Sequence, residues 1–267
     1  MIPRIYSKIK SIVTQLSHQY KLFDEAPKSG RPRKINNIDA LTLALYQHAS
    51  TRATKKSVYE DFKRALRCSY KTLVVWMNKL AAISLRLLFI LMQLNRKHSH
   101  LVKYTDATDI PVCLKKNMDK HKTMQGLAGI GRSTKGWFYG IKMTLTRDDD
   151  GRLLGVKFTQ PGINDRDIFR KINADIYGII VADAGYVSYQ LEKDMYIENK
   201  RWLLIRPYKT MKKLMAKWQE QVYKGRFKIE FDCRDLKLFH GLVTSMPRSV
   251  DGYLANYLHA LLSFVIA

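Results

Sequence analysis

The chain has 267 residues, 46% hydrophobic and 11% aromatic, enough apolar material for one large or two ordinary packed domains and too much for a disordered tail. Its 47 Lys and Arg against 23 Asp and Glu leave a net charge of +24, far more than solubility needs, so a polyanionic partner is expected, nucleic acid ahead of an anionic membrane surface. Cys68, Cys113 and Cys233 are odd in number and far apart, implying neither a disulfide framework nor a zinc ribbon, and the seven histidines show no metal-ligand spacing.

The excess charge is not confined to a tail. Residues 1–98 hold 19 basic and 5 acidic side chains, and the remainder 28 and 18, so both parts can face phosphate. The bland alternative is a protein that is simply cationic. Lys8 and Lys10 interrupt the only apolar stretch near the start, so no export signal is read there. The greasiest segment, Leu80 to Leu94, is too short to span a bilayer and contains Arg86. The expectation is a cytoplasmic protein without a membrane partner.

Residues 1–98 read as helical throughout. Ile5, Ile9, Ile12, Val13 and Leu16 recur at helical spacing; Ile38 to Tyr46 follows Asn37 as N-cap. Ser57-Val58-Tyr59-Glu60 has the form of a capping box opening a helix to about Leu66, and Ser69 caps the next, from Tyr70 toward about Leu94. Short basic helices with tight turns suit a helix-turn-helix-like DNA reader, with Lys71 a candidate contact; an ordinary bundle with a solvated basic face fits equally. Lys28-Ser29-Gly30-Arg31-Pro32-Arg33-Lys34, in a linker of about 26–36, offers Arg31, Arg33 and Lys34 to DNA, either extended in a minor groove or brushing phosphates as a Gly/Pro spacer.

From about residue 99 the pattern changes. Leu101 to Thr105 is strand-like and ends in Asp106. Trp137 to Thr146 and Leu153 to Phe158 form a hairpin across Arg147-Asp148-Asp149-Asp150-Gly151. A helix starts near Asp165, and Gly178 to Ala182 is an apolar strand ending at Asp183. Then come a helix from about Ser188, a strand Trp202 to Ile205, and closing helices at about 223–240 and 249–266. Antiparallel strands followed by strands alternating with helices predict a mixed α/β sheet after an all-helical domain, divided as 1–98 and 99–267.

Asp106 and Asp183 therefore end strands, where sites assemble in α/β sheets. A buried strand running into a carboxylate needs a partner for the charge, and metal is one; a turn-capping Asp is the other reading. Tyr223, Arg226, Glu230 and Lys237 add a carboxylate flanked by cations on one helix face, beside an apolar stripe of Ile229, Cys233 and Leu236. An i,i+4 salt-bridge network on a solvated helix is the competing reading.

The spacing Y-x2-R-x3-E-x6-K resembles the Tyr-Arg-Glu-Lys signature of bacterial insertion-sequence DDE transposases, in the ribonuclease-H-like and retroviral-integrase superfamily. Similar blocks are D-A-T-D-I-P-V at Asp106, G-W-F-Y-G-I-K-M, N-D-R-D, A-D-A-G-Y-V-S at Asp183 and R-S-V-D-G-Y, covering about residues 100–266. The resemblance implies a ribonuclease-H-like five-stranded mixed sheet flanked by helices. It implies catalytic Asp106, Asp183 and Glu230 holding two Mg²⁺ or Mn²⁺ ions, with Tyr223, Arg226 and Lys237 positioning double-stranded DNA, and a homodimer on paired element ends. Ala184 stands where the family often has Lys, which removes one phosphate contact. The chain stops at Ala267 within an apolar helix, so a truncated or catalytically inactive DNA-binding relative is the alternative.

Overall fold

In the computed structural model, residues 3–23, 34–133, 136–208, 210, 211 and 214–266 are described, apart from the side chain of Asn199. Arg31 and Arg33 lie outside the described residues. Two compact units form: Met1–Ile90 with Asp235–Ala267, and Leu91–Arg234.

The first unit is helical. It contains α1 (Arg4–Tyr20), α2 (Asn37–Ala49), α3 (Lys55–Phe62), α4 (Tyr70–Lys79), the start of α5 (Ala81–Lys97) and α10 (Val250–Ile266). Every residue of α2 from Ala40 to His48 is buried, and α1, α4 and α10 pack around it. A helix apolar on all sides must be the central one, and Leu41, Leu43 and Leu45 leave α2 no solvent face. The sequence division at residue 98 leaves α10 with the sheet; instead it lies on α2 and α4. Tyr253, Ala255, Tyr257, Ala260 and Leu261 need cover that α2 supplies.

Capping decides the helix starts. The Asn36 side chain, not that of Asn37, accepts from the Asp39 N–H at 2.6 Å. Thr54, not Ser57, caps α3 by accepting from the Ser57 N–H, so that helix begins earlier and ends at Phe62 rather than Leu66. Ser69 caps α4 as expected. The single helix expected from Tyr70 breaks at Leu80. By length and composition alone Tyr70–Lys97 is apolar enough to cross a membrane. Its buried residues, Leu73, Met77, Leu80, Ser84, Leu87, Leu88 and Met92, recur every three or four positions, the stripe of a core helix.

The second unit is built on a sheet: β1 (Val102–Cys113), β2 (Gly129–Ser133), β3 (Gly136–Asp148), β4 (Leu153–Thr159), β5 (Ile179–Ala182) and β6 (Trp202–Ile205). The order is β2-β3-β1-β5-β6, with β4 also on β3; β1 is antiparallel to β3 and parallel to β5, and β5 is parallel to β6. This is the ribonuclease-H-like mixed sheet, with six strands rather than the five expected. The added strand, β2, reads Gly-Ile-Gly-Arg-Ser, whose two glycines suggest a turn. One face is packed by α6 (Asp165–Ile172) and α7 (Tyr189–Asn199): Phe169, Leu191 and Met195 meet Leu154, Ile180, Ala182 and Leu203. On that face Thr105 and Thr146 hydrogen-bond each other and the buried Asn173, whose amide donates to the Phe169 carbonyl. The expected helix at 223–240 is two, α8 (Lys217–Lys224) and α9 (Phe227–Leu238), broken at Gly225 and Arg226.

Candidate active site

Asp106 is not the end of a strand. β1 continues to Cys113, because the antiparallel edge of β3 pairs it all the way, with Asp106 opposite Leu145. What stops nearby is the parallel pairing with β5, last recorded at Tyr104 opposite Val181. Two residues further along each strand stand Asp106 and Asp183, level across the sheet, where β5 ends and the chain turns away. Asp183 caps that turn: its Oδ1 accepts from the Ala184 N–H at 2.7 Å. The capping reading and the site reading of this residue are thus compatible.

Side chains alternate along β1, so Tyr104 and Asp106 share the face opposite Thr105. That face receives α9. Ile229 and Cys233 form the buried stripe of α9 and Leu236 continues it. At 100° per residue Lys228 and Asp232 fall on one flank of the stripe, Arg226 and Glu230 on the other. The first flank is tied down: Arg147 Nη1 to Asp232 Oδ2 at 2.7 Å, and Lys228 Nζ to Asp149 Oδ1 at 2.6 Å. Asp149 also accepts from the Tyr104 hydroxyl at 2.8 Å. With that flank fixed, the other is turned to Asp106.

There Arg226 bridges two of the three expected carboxylates. Its Nη1 lies 2.6 Å from Glu230 Oε1 and 3.9 Å from Asp106 Oδ2. The expected i,i+4 pair therefore exists, but it points at the sheet. The rings of Tyr223 and Phe227 lie 5.8 and 5.7 Å from the guanidinium carbon, cation–π distances that confine it further. Gly225 permits the approach, since a Cβ there would sit 2.0 Å from the Tyr104 hydroxyl.

Burial pushes the Asp106 carboxyl up to about 6; the Ala107 N–H and Arg226 pull it down, and the negative charges of Asp183 and Glu230 push it up again. Arg226 is likewise influenced by Glu230, Asp106 and Asp183, and Tyr223, raised by burial, by Arg226, Asp183 and Arg206. Asp106 is therefore within electrostatic reach of Asp183, Glu230 and Arg226, and Arg226 is within reach of all three carboxylates and of Tyr223. Asp106 and Arg226 are largely buried, Glu230 half-buried and Asp183 exposed. Among the described residues, no three His, Cys, Asp or Glu side chains are gathered closely enough to hold an ion as they stand. The donors suit a hard dication in kind: carboxylate oxygens from three elements, with the proton affinity of Asp106 raised by burial and then by its two carboxylate neighbours.

Lys237, on α9 two turns beyond Glu230, belongs to the helical unit, as do the exposed Lys34 and Lys71. Three partners escaped sequence reading. The Asp149 link to Tyr104 and Lys228 joins residues about 45 and 79 positions apart, and Arg147–Asp232 spans 85. Arg206, directly after β6, stands near Tyr223. No local pattern announces any of them; the Arg-Asp-Asp-Asp turn reads only as a turn.

A family model described as transposase DDE domain matches residues 96–249, more than half of the chain. No curated protein matches in a sequence search. Among solved structures, the Mos1 transposase paired-end complex with left transposon end is 11% identical, over 89% of this chain and 79% of that one, with a TM-score of 0.27. The Mos1 mariner paired end complex with Mn is 12% identical over 83% and 85%, TM-score 0.26. A pre-cleavage Mos1 transpososome is 10% identical over 99% and 96%, TM-score 0.23.

Proposed function

Because the chain belongs to the transposase DDE-domain family, we propose that it binds the ends of a bacterial insertion sequence and catalyses metal-dependent DNA cleavage and strand transfer. The observation that supports this most is Arg226 drawing Asp106 and Glu230 together beside Asp183. Asp106, Asp183 and Glu230 would hold Mg²⁺ or Mn²⁺, two ions in the family scheme. Such ions, when bound, activate an attacking oxygen and offset charge developing on the phosphorus.

The protein's own groups do the rest. Asp106 Oδ1 is oriented by the Ala107 N–H and Asp183 by the Ala184 N–H, so both carboxylates have fixed directions. Glu230, held among the described residues by Arg226, is the one that turns. Releasing it leaves the Arg226 guanidinium, planar and clamped between two rings, to take phosphate oxygens. Tyr223 and Lys237 are the remaining DNA-backbone contacts that the family signature implies, and the basic residues Arg31, Arg33, Lys34 and Lys71 are proposed as further DNA contacts. Two ends must be joined in concert, so a homodimer on paired ends is expected.

A labelled duplex carrying an element end, incubated with and without Mg²⁺, tests this. Wild type should nick or cut it only with Mg²⁺, and Asp183→Asn should bind the duplex and leave it intact. Cleavage surviving Asp183→Asn overturns the triad; binding with no metal-dependent cleavage by wild type makes the chain an inactive DNA-binding relative.

A further inference from the structure

The β1–β3 pair runs well past the carboxylates. From Asp106, opposite Leu145, it continues to Cys113, opposite Tyr139, about 23 Å further at ~3.3 Å per residue. The end of this ribbon carries β2 and a short 3-10 helix, Lys115–Lys120. Residues 114–137 hold six Lys and Arg against one acidic residue, Asp119. Nearer the carboxylates, cations of this unit are matched: Lys142 with Asp165, Arg147 with Asp232, Lys228 with Asp149. Out on the ribbon the exposed Lys115, Lys116, Lys120, Lys122 and Arg132 have no carboxylate partner among the described residues.

Trp137 organises two of them. It is 57% exposed, and both Lys115 Nζ, at 5.4 Å, and Arg132 Cζ, at 5.8 Å, stand at its ring. Two like charges at one ring repel each other, and an indole that large is costly to leave in water. A phosphate between the cations turns the repulsion into attraction, and the ring holds both side chains ready for it.

We propose that this ribbon is a DNA arm: Lys115 and Arg132, splayed by Trp137, grip the backbone of duplex DNA away from the scissile phosphate. At ~3.4 Å per base pair the reach corresponds to about seven base pairs. The proposal rests on the reading of the protein as a DNA-processing enzyme, but the contact itself needs neither the carboxylates nor metal.

The test is fluorescence anisotropy with a fluorescein-labelled random-sequence duplex of about 40 base pairs in EDTA, across a series of KCl concentrations. Lys115→Glu/Arg132→Glu should weaken binding about tenfold or more near 100 mM KCl and reduce the salt slope by about two, one per lost phosphate. Trp137→Ala should weaken binding several-fold with the slope nearly kept. Lys157→Glu/Lys171→Glu, the same charge change on β4 and α6, should do neither. Wild-type affinity and slope in the first variant overturn the arm, as does an equal loss in the control pair, since net charge alone would then account for it. If wild type binds through the arm but never cleaves with Mg²⁺, the arm stands and the nuclease reading falls; if it cleaves and the arm variant binds normally, the reverse holds.

Discussion

At the residue scale the site is governed by Asp106, a carboxyl that burial and two like charges hold at about 6 against an ordinary 3.8. Replacing Glu230 with Gln keeps the shape and removes one of those charges. It also frees Arg226 to lean on Asp106, 3.9 Å away. Both changes act in the same direction, so the Asp106 midpoint should fall below about 6, read by carbon NMR of the carboxyl and identified by its loss in Asp106→Asn. A midpoint that stays or rises means Glu230 does not face Asp106. The linkage follows with a definite sign. A carboxyl raised in the folded state contributes stability in full below its unfolded value, and that contribution is lost as pH rises from about 4 through about 6. The metal-free protein should therefore lose stability across that window, and Glu230→Gln should flatten the loss. Arg226→Ala sharpens the contrast: two carboxylates lose their shared cation, the Asp106 midpoint rises, and metal-dependent cleavage falls by about a hundredfold as phosphate positioning is lost.

At the scale of elements, the placement of α9 decides whether the carboxylates meet, and Gly225 is where that placement is most easily broken. Its φ of −62° suits any residue, so Gly225→Ala meets no backbone strain. The obstacle is the Tyr104 hydroxyl, 2.0 Å from the added methyl. Either Tyr104 gives up its hydrogen bond to Asp149 or α9 shifts outward, at a cost of about 1–3 kcal/mol. Denaturant unfolding should show that loss, and cleavage should fall by more than stability explains; an Ala variant with wild-type midpoint and activity means the contact is soft. Sequence patterns reach most elements here but not their edges. Asn36 and Asn37 are both good caps, as are Thr54 and Ser57, and only packing chooses between them. Alternation alone stops β1 at Asp106, because Thr105-Asp106-Ala107-Thr108-Asp109 lacks it; pairing with β3 carries the strand through. The candidate residues of the site can be picked out because their types and spacing are local. The ion pairs that aim α9 join positions some 80 residues apart and leave no such trace.

At the scale of the whole molecule, the two units should answer acid in opposite ways. In the helical unit His48, His240 and His259 cluster where α10 meets α2. His48 Nδ1 lies 2.7 Å from the His240 carbonyl, His240 Nδ1 lies 3.2 Å from Ser263 Oγ, and among the described residues neither ring nitrogen of His259 has a hydrogen-bond partner. Burial lowers His48 from 6.5 to about 4, opposed by its bond to the His240 carbonyl and helped by the charges of Lys55 and His240, and burial lowers His259 well below its ordinary value, with His48 and Lys55 adding. Lys55, itself lowered to about 8 by burial, and Asp235 beside His240 are the charged groups facing the cluster. A histidine depressed on folding takes up protons on unfolding, so stability present above about 6.5 is lost as pH falls toward about 4, by about 2 kcal/mol at pH 5 from His48 alone. Over that window the Asp106 contribution moves the other way. Hydrogen exchange at pH 7 and pH 5, corrected for intrinsic rates, should therefore show α2 and α10 opening more readily at pH 5 while β1 and β5 hold. His48→Gln/His259→Leu should shrink the difference in α2 and α10. Equal protection of these helices at both pH values means the buried histidines are not the acid-sensitive element.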